Sequence, residues 1–425
     1  MHVTMVALGS RGDVQPMVAL GQGLSRHGLR VRIASYDAFE GLVPGHGMEF
    51  TRIEGDPRQA LDDRAGQEWM ESGRSWIRFS RGVRRLATYH DLEKSLADTV
   101  AACAGTEALL YTALGAAGYH VAEMLEVPSI YLLLQPMSRS RLMPSIFMPA
   151  LPLGGTYNWW TYLLVERMVW QTVRPIYNGW RRDVLHLKPI PPSGPFNSLY
   201  ATREPFVYGF SSLVVPPPPD WPAWHHATGY WFLEQDAGWT PPPELVAFLD
   251  DGPPPVSIGF GSMSGPLARR LLSLSVEAVR RSGLRAVLLG GWAAAAREGM
   301  PDTLLVLDSV PHDWLFPRVD AVVHHAGAGT TAAGLRAGRP TVAVPFMGDQ
   351  PYWGRRVHAL GVGPKPIQRS ELTVRRLAEA LAQVTSDTTM QQRAAALGNA
   401  LGQEDGVANA VRIITAYLNA PRGKR

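Results

Sequence analysis

Residues 310–350 read VPHDWLFPRVDAVVHHAGAGTTAAGLRAGRPTVAVPFMGDQ, and this stretch decides the fold. The short apolar run at 321–325 predicts a buried strand, and the apolar helical pattern after it predicts a helix. The small-residue loop between them therefore lies at the carboxyl end of a strand and at the N-terminus of a helix. Backbone N–H groups lack intrahelical partners there and the helix dipole is positive, so a diphosphate is a favourable ligand.

Side chains beside this loop extend the same prediction. His325 can donate a hydrogen bond to a phosphate oxygen, and Thr330 and Thr331 can add hydroxyl groups. Asp349 and Gln350 lie just past the next predicted strand, where they can hydrogen-bond sugar hydroxyls. A diphosphate anchor and a hydroxyl-binding pair one strand apart predict a nucleotide-sugar site.

Length and composition set broad limits on the protein. A chain of 425 residues favours two domains, and 46% hydrophobic with 18% charged residues is ordinary for a globular enzyme. A net charge of +4 is too small to argue for a nucleic-acid partner. The single cysteine, Cys103, excludes internal disulfides and cysteine-based metal sites and fits a reducing compartment. No apolar run reaches the roughly 18–20 residues of a membrane span and no signal peptide is evident, so we expect a soluble, cytoplasmic protein with at most peripheral membrane contact.

Strands alternate with helical segments along the chain, which predicts an α/β protein with two doubly wound domains facing each other across a cleft. In the first domain we expect strands at 3–8, 31–35, 109–112 and 129–134 and a helix at 17–27. In the second we expect strands at 256–260, 285–289, 304–307, 321–325 and 341–345 and a helix at 267–282. Proline runs at 216–219 and 241–243 suit a stiff linker. The expected division is a first domain at 1–215, a proline-rich linker at 216–243, a second domain at 244–405 and a final helical segment at 406–425.

Two glycine-rich turns have different implications. GFGSMSG at 259–265 follows the first strand of the second domain. Such a turn is often only structural, but together with the His325 loop it favours ligand contact at Gly261 and Ser262. GSRG at 9–12 lacks the third glycine and the following acidic strand end of a dinucleotide site, which disfavours a hydride-transfer enzyme.

Four ordered blocks carry a resemblance to a known family: GSRGDVQP at 9–16, TGYWFLE at 228–234, PHDWLFP at 311–317 and FMGDQPYWGRRVHALGVGP at 346–364. They resemble family 1 glycosyltransferases of the GT-B fold, and within them the sterol glucosyltransferases and their actinobacterial natural-product relatives. The resemblance covers nearly the whole chain and implies that the final helix returns to the first domain. It implies an inverting transfer of a hexose, glucose by expectation, from a UDP-sugar to a hydroxyl of a lipophilic acceptor. A sterol-like compound, a terpenoid, a macrolide or another natural product would fit. The resemblance implies no cofactor and no metal, and the oligomeric state is left open.

Asp13 has two readings. At a strand-to-helix turn it suits an aspartate that stabilises the first turn of a helix. By resemblance it is the general base, because the sterol branch has a carboxylate where the plant enzymes of the family have a histidine. The supporting aspartate of the plant enzymes falls on Thr112, so the base would act without a dyad.

The resemblance also implies the binding residues. His325 acts with Asp13 in catalysis. The donor-site residues are Gly12, Gly261, Ser262, Trp292, Val310, His325, Gly327, Gly329, Thr330, Asp349 and Gln350. The acceptor-site residues are Met137, Trp159, Trp160 and Phe346.

Two departures from the family pattern bear on the donor and the loop. Ala333 replaces the glutamate that holds the ribose in plant enzymes, which leaves a dTDP-deoxysugar donor open, although the sterol branch favours UDP. Ala326 stands where relatives usually have glycine.

The aromatic segment at 135–180 fits either ordinary helical packing or an acceptor pocket. Its part at 157–180 argues against a GT-B sugar-nucleotide epimerase or hydrolase, which would need further acids at the sugar and no acceptor pocket. A non-catalytic sensor or partner protein of the same fold would be expected to lose the donor loop, whose residues are all present.

Overall fold

The computed structural model describes residues 1–55, 90–234, 238–261, 265–290 and 300–420. In chain order the strands are β1 His2–Val6, β2 Arg30–Ser35, β3 Glu49–Arg52, β4 Ala108–Thr112, β5 Ser129–Leu133, β6 Phe206–Tyr208, β7 His225–Ala227, β8 Val256–Gly259, β9 Ala286–Leu289, β10 Leu304–Leu307, β11 Ala321–His324 and β12 Thr341–Ala343. The α-helices are α1 Arg11–Arg26, α2 His90–Ala102, α3 Ala117–Leu125, α4 Gly154–Asp183, α5 Phe196–Thr202, α6 Pro243–Asp250, α7 Gly265–Ser282, α8 His312–Leu315, α9 Ala328–Arg336, α10 Gln350–Ala359, α11 Val374–Ser386, α12 Thr388–Leu401 and α13 Gly406–Asn419.

The first unit is built on a seven-stranded parallel sheet in the order β3-β2-β1-β4-β5-β6-β7. Its central strands β1, β4 and β5 are buried along most of their length, as a sheet covered by helices on both sides requires. The strand order reverses direction between β1 and β4, which pair directly. Ligands of doubly wound sheets bind beyond the carboxyl ends of the strands at such a switch point.

The second unit has a five-stranded parallel sheet in the order β10-β9-β8-β11-β12. Here the order reverses between β8 and β11, with His324 opposite Gly259 in the register. The expected α/β class with two doubly wound sheets is confirmed, since each expected strand is present within one or two residues of its predicted ends.

Helix α1 begins earlier than the sequence pattern predicts. We expected a helix from residue 17, but α1 starts at Arg11 with Ser10 as its N-cap and Pro16 inside it. The Ser10 backbone N–H donates to Asp13 Oδ2 at 2.8 Å, so the N-cap and the third helical residue satisfy each other. The predicted start missed this cap because the first turn carries little apolar signal.

The division of the chain also differs from the expected one. The chain forms two compact units. The first consists of Met1–Leu233 and Asp405–Arg425, and the second consists of Glu234–Glu404. Much of the expected linker at 216–243 belongs to the first unit, because β7 pairs with β6 at the sheet edge. The first proline run carries the chain between these two strands.

Helix α13 packs on the first unit, as the resemblance implied. Val411 and Ile414 are fully buried in the core that also holds Val14 and Met17 of α1. The approach is close, since a Cβ added to Gly23 would lie 2.5 Å from Val407 Cγ1.

Adjacent isoleucines in α13 offer a matched test of this packing. Ile414→Ala deletes fully buried atoms and should cost about 2–5 kcal/mol in the free energy of unfolding. Ile413→Ala alters a partly buried neighbour and should cost clearly less. Chemical denaturation followed by circular dichroism measures both, and equal losses would contradict the described orientation of α13.

Candidate functional site

The switch point of the second unit holds the His325 side chain between two glycines. Gly261 follows β8, and a Cβ added there would lie 3.2 Å from His325 Cε1. Gly327 follows β11, and a Cβ added there would lie 2.5 Å from His325 Nε2. Because the two loops follow neighbouring strands, they meet at one edge of the sheet. A side chain at position 327 would force the ring or the turn to shift, and one at position 261 would be tight against the ring and would need a left-handed backbone.

His325 is neutral in this position. Burial lowers the pKa of His325 to about 4, so the imidazole carries no charge near neutral pH. Its buried Nδ1 has no hydrogen-bond partner among the described residues. A neutral ring can donate one N–H bond, and a buried ring nitrogen without a partner indicates a position prepared for a ligand or water.

The backbone after His325 is strained at one residue. Ala326 has a φ of 63°, in the left-handed region that favours glycine. The Ala326 N–H donates to Nδ1 of the buried His324 at 2.9 Å, which fixes the turn. This conformation explains why glycine would suit position 326, and the hydrogen bond gives the buried His324 a structural role.

Helix α9 starts at this turn, with Gly327 as its N-cap. The first N–H groups of a helix have no intrahelical acceptor. They are therefore available to bind an anion at the N-terminus of the helix. Gly329 is exposed and Thr330 is half-buried in this first turn. Thr331 is fully buried, and its hydroxyl has no partner among the described residues.

Asp349 and Gln350 follow β12 at the same edge of the sheet, and both are anchored by their surroundings. Asp349 is the N-cap of α10, and its Oδ2 accepts from the buried Trp353 Nε1 at 2.8 Å. Gln350 Oε1 accepts from the backbone N–H groups of Phe346 and Met347 at 2.8 and 3.0 Å. The side-chain amide oxygen of Gln350 is thus used within the protein, and its NH₂ group is the one suited to a ligand.

Three further donor-site residues were expected in this unit. Val310 follows β10 and is buried, and its backbone groups form no hydrogen bond with the other described residues. Ser262 and Trp292 lie outside the described residues.

Asp13 lies at the switch point of the first unit. Its Oδ2 accepts from the Ser10 backbone N–H and the Ser10 hydroxyl, both at 2.8 Å. A Cβ added to Gly9 would lie 2.5 Å from this oxygen, and Gly9 has a φ of 128°. Burial raises the pKa of Asp13 above 3.8, although both Ser10 hydrogen bonds lower it. The carboxylate therefore helps to cap α1, and it is more basic than an exposed aspartate. Gly12, expected at the donor, is exposed in the same turn.

The surroundings of Asp13 contain one residue that the sequence reading missed. Tyr36 directly follows β2, and burial together with the charge of Asp13 raises the pKa of its phenol. Thr112 instead serves the backbone, since its hydroxyl donates to Val6 O at 3.4 Å and accepts from the Gly115 N–H at 3.2 Å. The sequence did carry a signal for Tyr36, because a tyrosine directly after a strand next to the switch point indicates a residue near the site.

His120, which lies in α3 of the first unit, is unsuited to act as a base. It is almost fully buried, and its Nδ1 lies 3.0 Å from Arg181 Nη1. Burial and the Arg181 charge lower the pKa of His120 to about 3.

The expected acceptor residues fall into different surroundings. Met137 is half-buried after β5, Trp159 is half-buried below the Arg141 guanidinium at 5.3 Å, and Trp160 is exposed. Phe346 lies in the second unit, where it is buried and packs edge-on against Phe260 with ring centroids 5.9 Å apart, and its acceptor role stays a prediction. Three other aromatic residues of the 135–180 segment are core, as the packing reading predicted: Tyr162, Trp170 and Trp180.

Among the described residues, no three His, Cys, Asp or Glu side chains are grouped to hold a metal ion. No helix in the described part of the chain is long and apolar enough to cross a membrane.

Family models match both ends of the chain. Residues 3–144 match the glycosyltransferase family 28 N-terminal domain. Residues 290–413 match the C-terminal domain of erythromycin biosynthesis protein CIII-like proteins.

Curated relatives match along almost the whole chain. The sterol 3-beta-glucosyltransferase of Cryptococcus neoformans is 36% identical over 440 residues, covering 97% of this chain and 27% of the relative. That of Yarrowia lipolytica is 36% identical over 446 residues, covering 99% of this chain and 29% of the relative. The chain thus spans less than a third of the length of these relatives.

Solved structures share the fold. The glycotransferase of kitacinnamycin has a TM-score of 0.71 at 22% identity, covering 98% of this chain and 99% of that chain. The Streptomyces sp. SF2575 glycosyltransferase SsfS6, complexed with thymidine diphosphate, has a TM-score of 0.63 at 20% identity, covering 98% and 99%. The fold is that of the GT-B glycosyltransferases. The chain belongs to the glycosyltransferase family that includes the sterol 3-beta-glucosyltransferases.

The crowded ring of His325 gives a direct test of the site. Gly327→Ala adds a methyl 2.5 Å from Nε2, which must displace the ring or the turn at about 1–3 kcal/mol. The affinity for uridine or thymidine diphosphate, whichever binds, should fall about ten-fold or more by calorimetry.

Gly402→Ala is the matched control, since its methyl makes an ordinary 3.4 Å contact in the same unit. It should leave nucleotide affinity unchanged. Equal affinities for the two variants would remove His325 and its turn from the site.

Proposed function

We propose that this protein is an inverting glycosyltransferase that moves a hexose, glucose in the first instance, from a UDP-sugar to a hydroxyl of a lipophilic acceptor. One observation carries the proposal: His325 is held between Gly261 and Gly327 at the N-terminus of α9. A neutral N–H donor and unpaired helix N–H groups at one point form a site for a diphosphate leaving group.

The proposed roles divide between the two units. In the second unit, the α9 N-terminus, His325 and Thr330 would bind the diphosphate, while Asp349 and Gln350 would bind sugar hydroxyls. Backbone groups at Val310 would contact the pyrimidine edge. In the first unit, the acceptor would lie near Met137, Trp159 and Trp160, with Asp13 at its hydroxyl.

The proposed chemistry is a single displacement. The acceptor oxygen forms a bond to the anomeric carbon as the bond from that carbon to the diphosphate oxygen breaks. The proton of the acceptor hydroxyl goes to Asp13, and the electron pair leaves with the nucleoside diphosphate. The growing negative charge on the diphosphate is stabilised by fixed N–H donors, and no metal or cofactor enters the proposal.

The nucleotide has a second candidate. The sterol 3-beta-glucosyltransferase relatives and the hydroxyl-binding pair support UDP-glucose. Ala333 in α9 and the thymidine diphosphate bound to SsfS6 favour a dTDP-deoxysugar instead. An alanine at 333 offers no carboxylate to a ribose 2′-hydroxyl, a group that deoxyribose lacks.

The donor prediction is settled by calorimetry. UDP-glucose should bind more tightly than a dTDP-6-deoxysugar, because a fully hydroxylated hexose satisfies both Asp349 and Gln350. Tighter binding of the dTDP-6-deoxysugar would overturn the choice of UDP. If the Asp349 carboxylate contacts the sugar, Asp349→Ala should reduce the difference in binding affinity between UDP-glucose and UDP alone.

The base is tested by Asp13→Asn. Asparagine keeps an oxygen for the Ser10 N–H but cannot take a proton, so turnover should fall about a hundred- to ten-thousand-fold. Nucleotide affinity should be unchanged. Burial raises the pKa of Asp13 in the folded protein. Ionisation of Asp13 therefore lowers the free energy of unfolding as the pH rises above 3.8. Asn should therefore not destabilise the fold at neutral pH through this charge.

The pH profile gives an independent check. With wild-type protein, kcat/KM should fall as pH falls through the raised pKa of Asp13, at a pH above 3.8. Asp13→Asn should lack this acidic limb. A variant with near wild-type turnover would leave Asp13 as a cap only.

A further inference from the structure

Two polar side chains of the first unit lie at the carboxyl edge of its sheet, beside the switch point. Asp13 lies in the first turn of α1, which follows β1, and Tyr36 directly follows β2. Since β1 and β2 are neighbouring parallel strands, the residues after them lie at the same edge. Both side chains are half-buried, so a ligand at this edge can reach them.

Hydrogen bonds beyond the ends of the two strands hold Tyr36 beside the turn that carries Asp13. The Ala7 N–H donates to Ala34 O at 3.0 Å, and the Ser35 hydroxyl donates to Ala7 O at 2.6 Å. The contact between the two strands therefore continues up to the residue before Tyr36. The backbone of Tyr36 is thus fixed relative to the turn at 9–13.

The ring of Tyr36 is confined by its neighbours. It packs against two apolar cores of the first unit. A Cβ added to Gly55, whose φ is 144°, would lie 2.6 Å from Tyr36 Cε1. Close packing of this kind restricts the ring and leaves its hydroxyl in a defined place.

Asp13 and Tyr36 have hydrogen-bonding groups that the protein itself does not use. Asp13 Oδ2 accepts both hydrogen bonds from Ser10, and Oδ1 forms none with the described residues. The Tyr36 hydroxyl likewise forms no hydrogen bond with another described residue. The two groups are nevertheless close in space, since burial and then the charge of Asp13 raise the pKa of the phenol. Tyr36 is therefore a protonated donor near neutral pH, close to a carboxylate oxygen.

A second phenol faces Tyr36 from α4. Burial and then Tyr36 raise the pKa of Tyr177 to about 12. The ring of Tyr177 packs against His120 and Trp180, with centroids 5.0 and 6.1 Å from those rings. Asp13 does not contribute to the raised pKa of Tyr177. Tyr36 is thus the phenol that shares its surroundings with the candidate base.

We propose that Tyr36 is an acceptor-binding residue: its O–H donates to the hydroxyl oxygen of the acceptor while that hydroxyl donates to Asp13 Oδ1. The proposal rests on the sugar transfer proposed above. An alcohol oxygen has one proton and two lone pairs. With the proton directed to Asp13 and one lone pair directed to Tyr36, the second lone pair is the one that attacks the anomeric carbon.

Tyr36 keeps its proton during the transfer. The acceptor oxygen forms the new bond to the anomeric carbon, its proton passes to Asp13 Oδ1, and the electron pair of the broken bond leaves with the diphosphate. Tyr36 thus orients the nucleophile and takes no proton from it. A neutral amine has a single lone pair, which the attack requires, so this arrangement favours alcohols over amines as acceptors.

The closeness of Tyr36 and Asp13 is measured without substrates. In protein labelled with 3-fluorotyrosine, the fluorine NMR signal that Tyr36→Phe removes belongs to Tyr36, and a pH titration gives the pKa of its phenol. Asp13→Asn removes a negative charge, so this pKa should fall. An unchanged pKa of Tyr36 would contradict the proposal, whatever the activity of the protein.

The signal that Tyr119→Phe removes is the control for this titration. Burial and then the charge of Glu123 raise the pKa of Tyr119 to about 12, without a contribution from Asp13. The pKa of Tyr119 should therefore be the same in wild-type protein and in Asp13→Asn. Equal shifts at Tyr36 and Tyr119 would mean that the substitution changes the fold, and the assigned contact would be wrong.

Kinetics test the role of Tyr36 in transfer. The donor is UDP-glucose, and the probe acceptors are cholesterol, a pentacyclic triterpene alcohol and a macrolactone. Tyr36→Phe should lower kcat/KM for the acceptor about ten- to a hundred-fold, since it removes one hydrogen bond to the nucleophile. The loss should lie mainly in kcat, because a misoriented hydroxyl still binds, and KM for UDP-glucose should be unchanged.

Tyr119→Phe is the matched control for the kinetics. Tyr119 and Tyr36 both pack, partly buried, against the same apolar core of the first unit. Tyr119→Phe should therefore keep wild-type kinetics, and melting temperatures check that both variants are folded. A lower affinity of Tyr36→Phe for UDP-glucose would indicate a general structural loss and would count against the proposed role.

Two further results separate this proposal from the proposed function. If wild-type protein transfers glucose to a probe and Tyr36→Phe does so equally well, the role of Tyr36 is wrong and the proposed function stands. If wild-type protein transfers glucose to none of the three alcohols, the proposed function fails, and the role of Tyr36 fails with it.

Discussion

The pairing of β11 with β8 is the constraint on which the donor-side site depends. It places His324 opposite Gly259, so the two loops that follow these strands emerge side by side. From this pair the chain adds β9 and β10 on one side of the sheet and β12 on the other. The connections therefore diverge here, which leaves room for a ligand at the carboxyl ends of β8 and β11. β1 and β4 repeat the arrangement in the first unit, where Asp13 follows the strand at the same kind of reversal. One topological rule thus positions both candidate sites.

Glycines give each site its shape by leaving space for a neighbouring side chain. Gly327 and Gly261 flank the ring of His325, and Gly9 lies against the Asp13 carboxylate. Each functional group is thereby confined without being enclosed by other side chains. The same confinement reduces hydration, and it moves the two pKa values in opposite directions: it favours neutral imidazole at His325 and a more basic carboxylate at Asp13. The residues that pack closely at the two sites are thus the residues whose pKa values are shifted, His325 and Asp13.

The sequence predicted those features that local pattern determines. Apolar runs gave the strands, and their alternation with helices gave the doubly wound sheets. The pattern did not show three features that contacts beyond it decide. β7 is only three residues long and exists because β6 lies beside it. Phe346 follows a strand and resembled a binding residue, yet its packing on Phe260 is fixed by the fold of the whole second unit. Gln350 stays a predicted hydroxyl-binding residue, but the sequence pattern gave no sign that its Oε1 accepts from two backbone N–H groups of its own loop.

Helix α13 makes the first unit discontinuous along the chain, because Asp405 and the residues after it complete a core begun near Met1. Synthesis on the ribosome proceeds from the N-terminus, so the surface of α1 around Gly23 emerges long before the helix that covers it. The whole second unit is translated in between. The first unit therefore keeps an open apolar face until α13 leaves the exit tunnel, and by then the whole second unit has been synthesised.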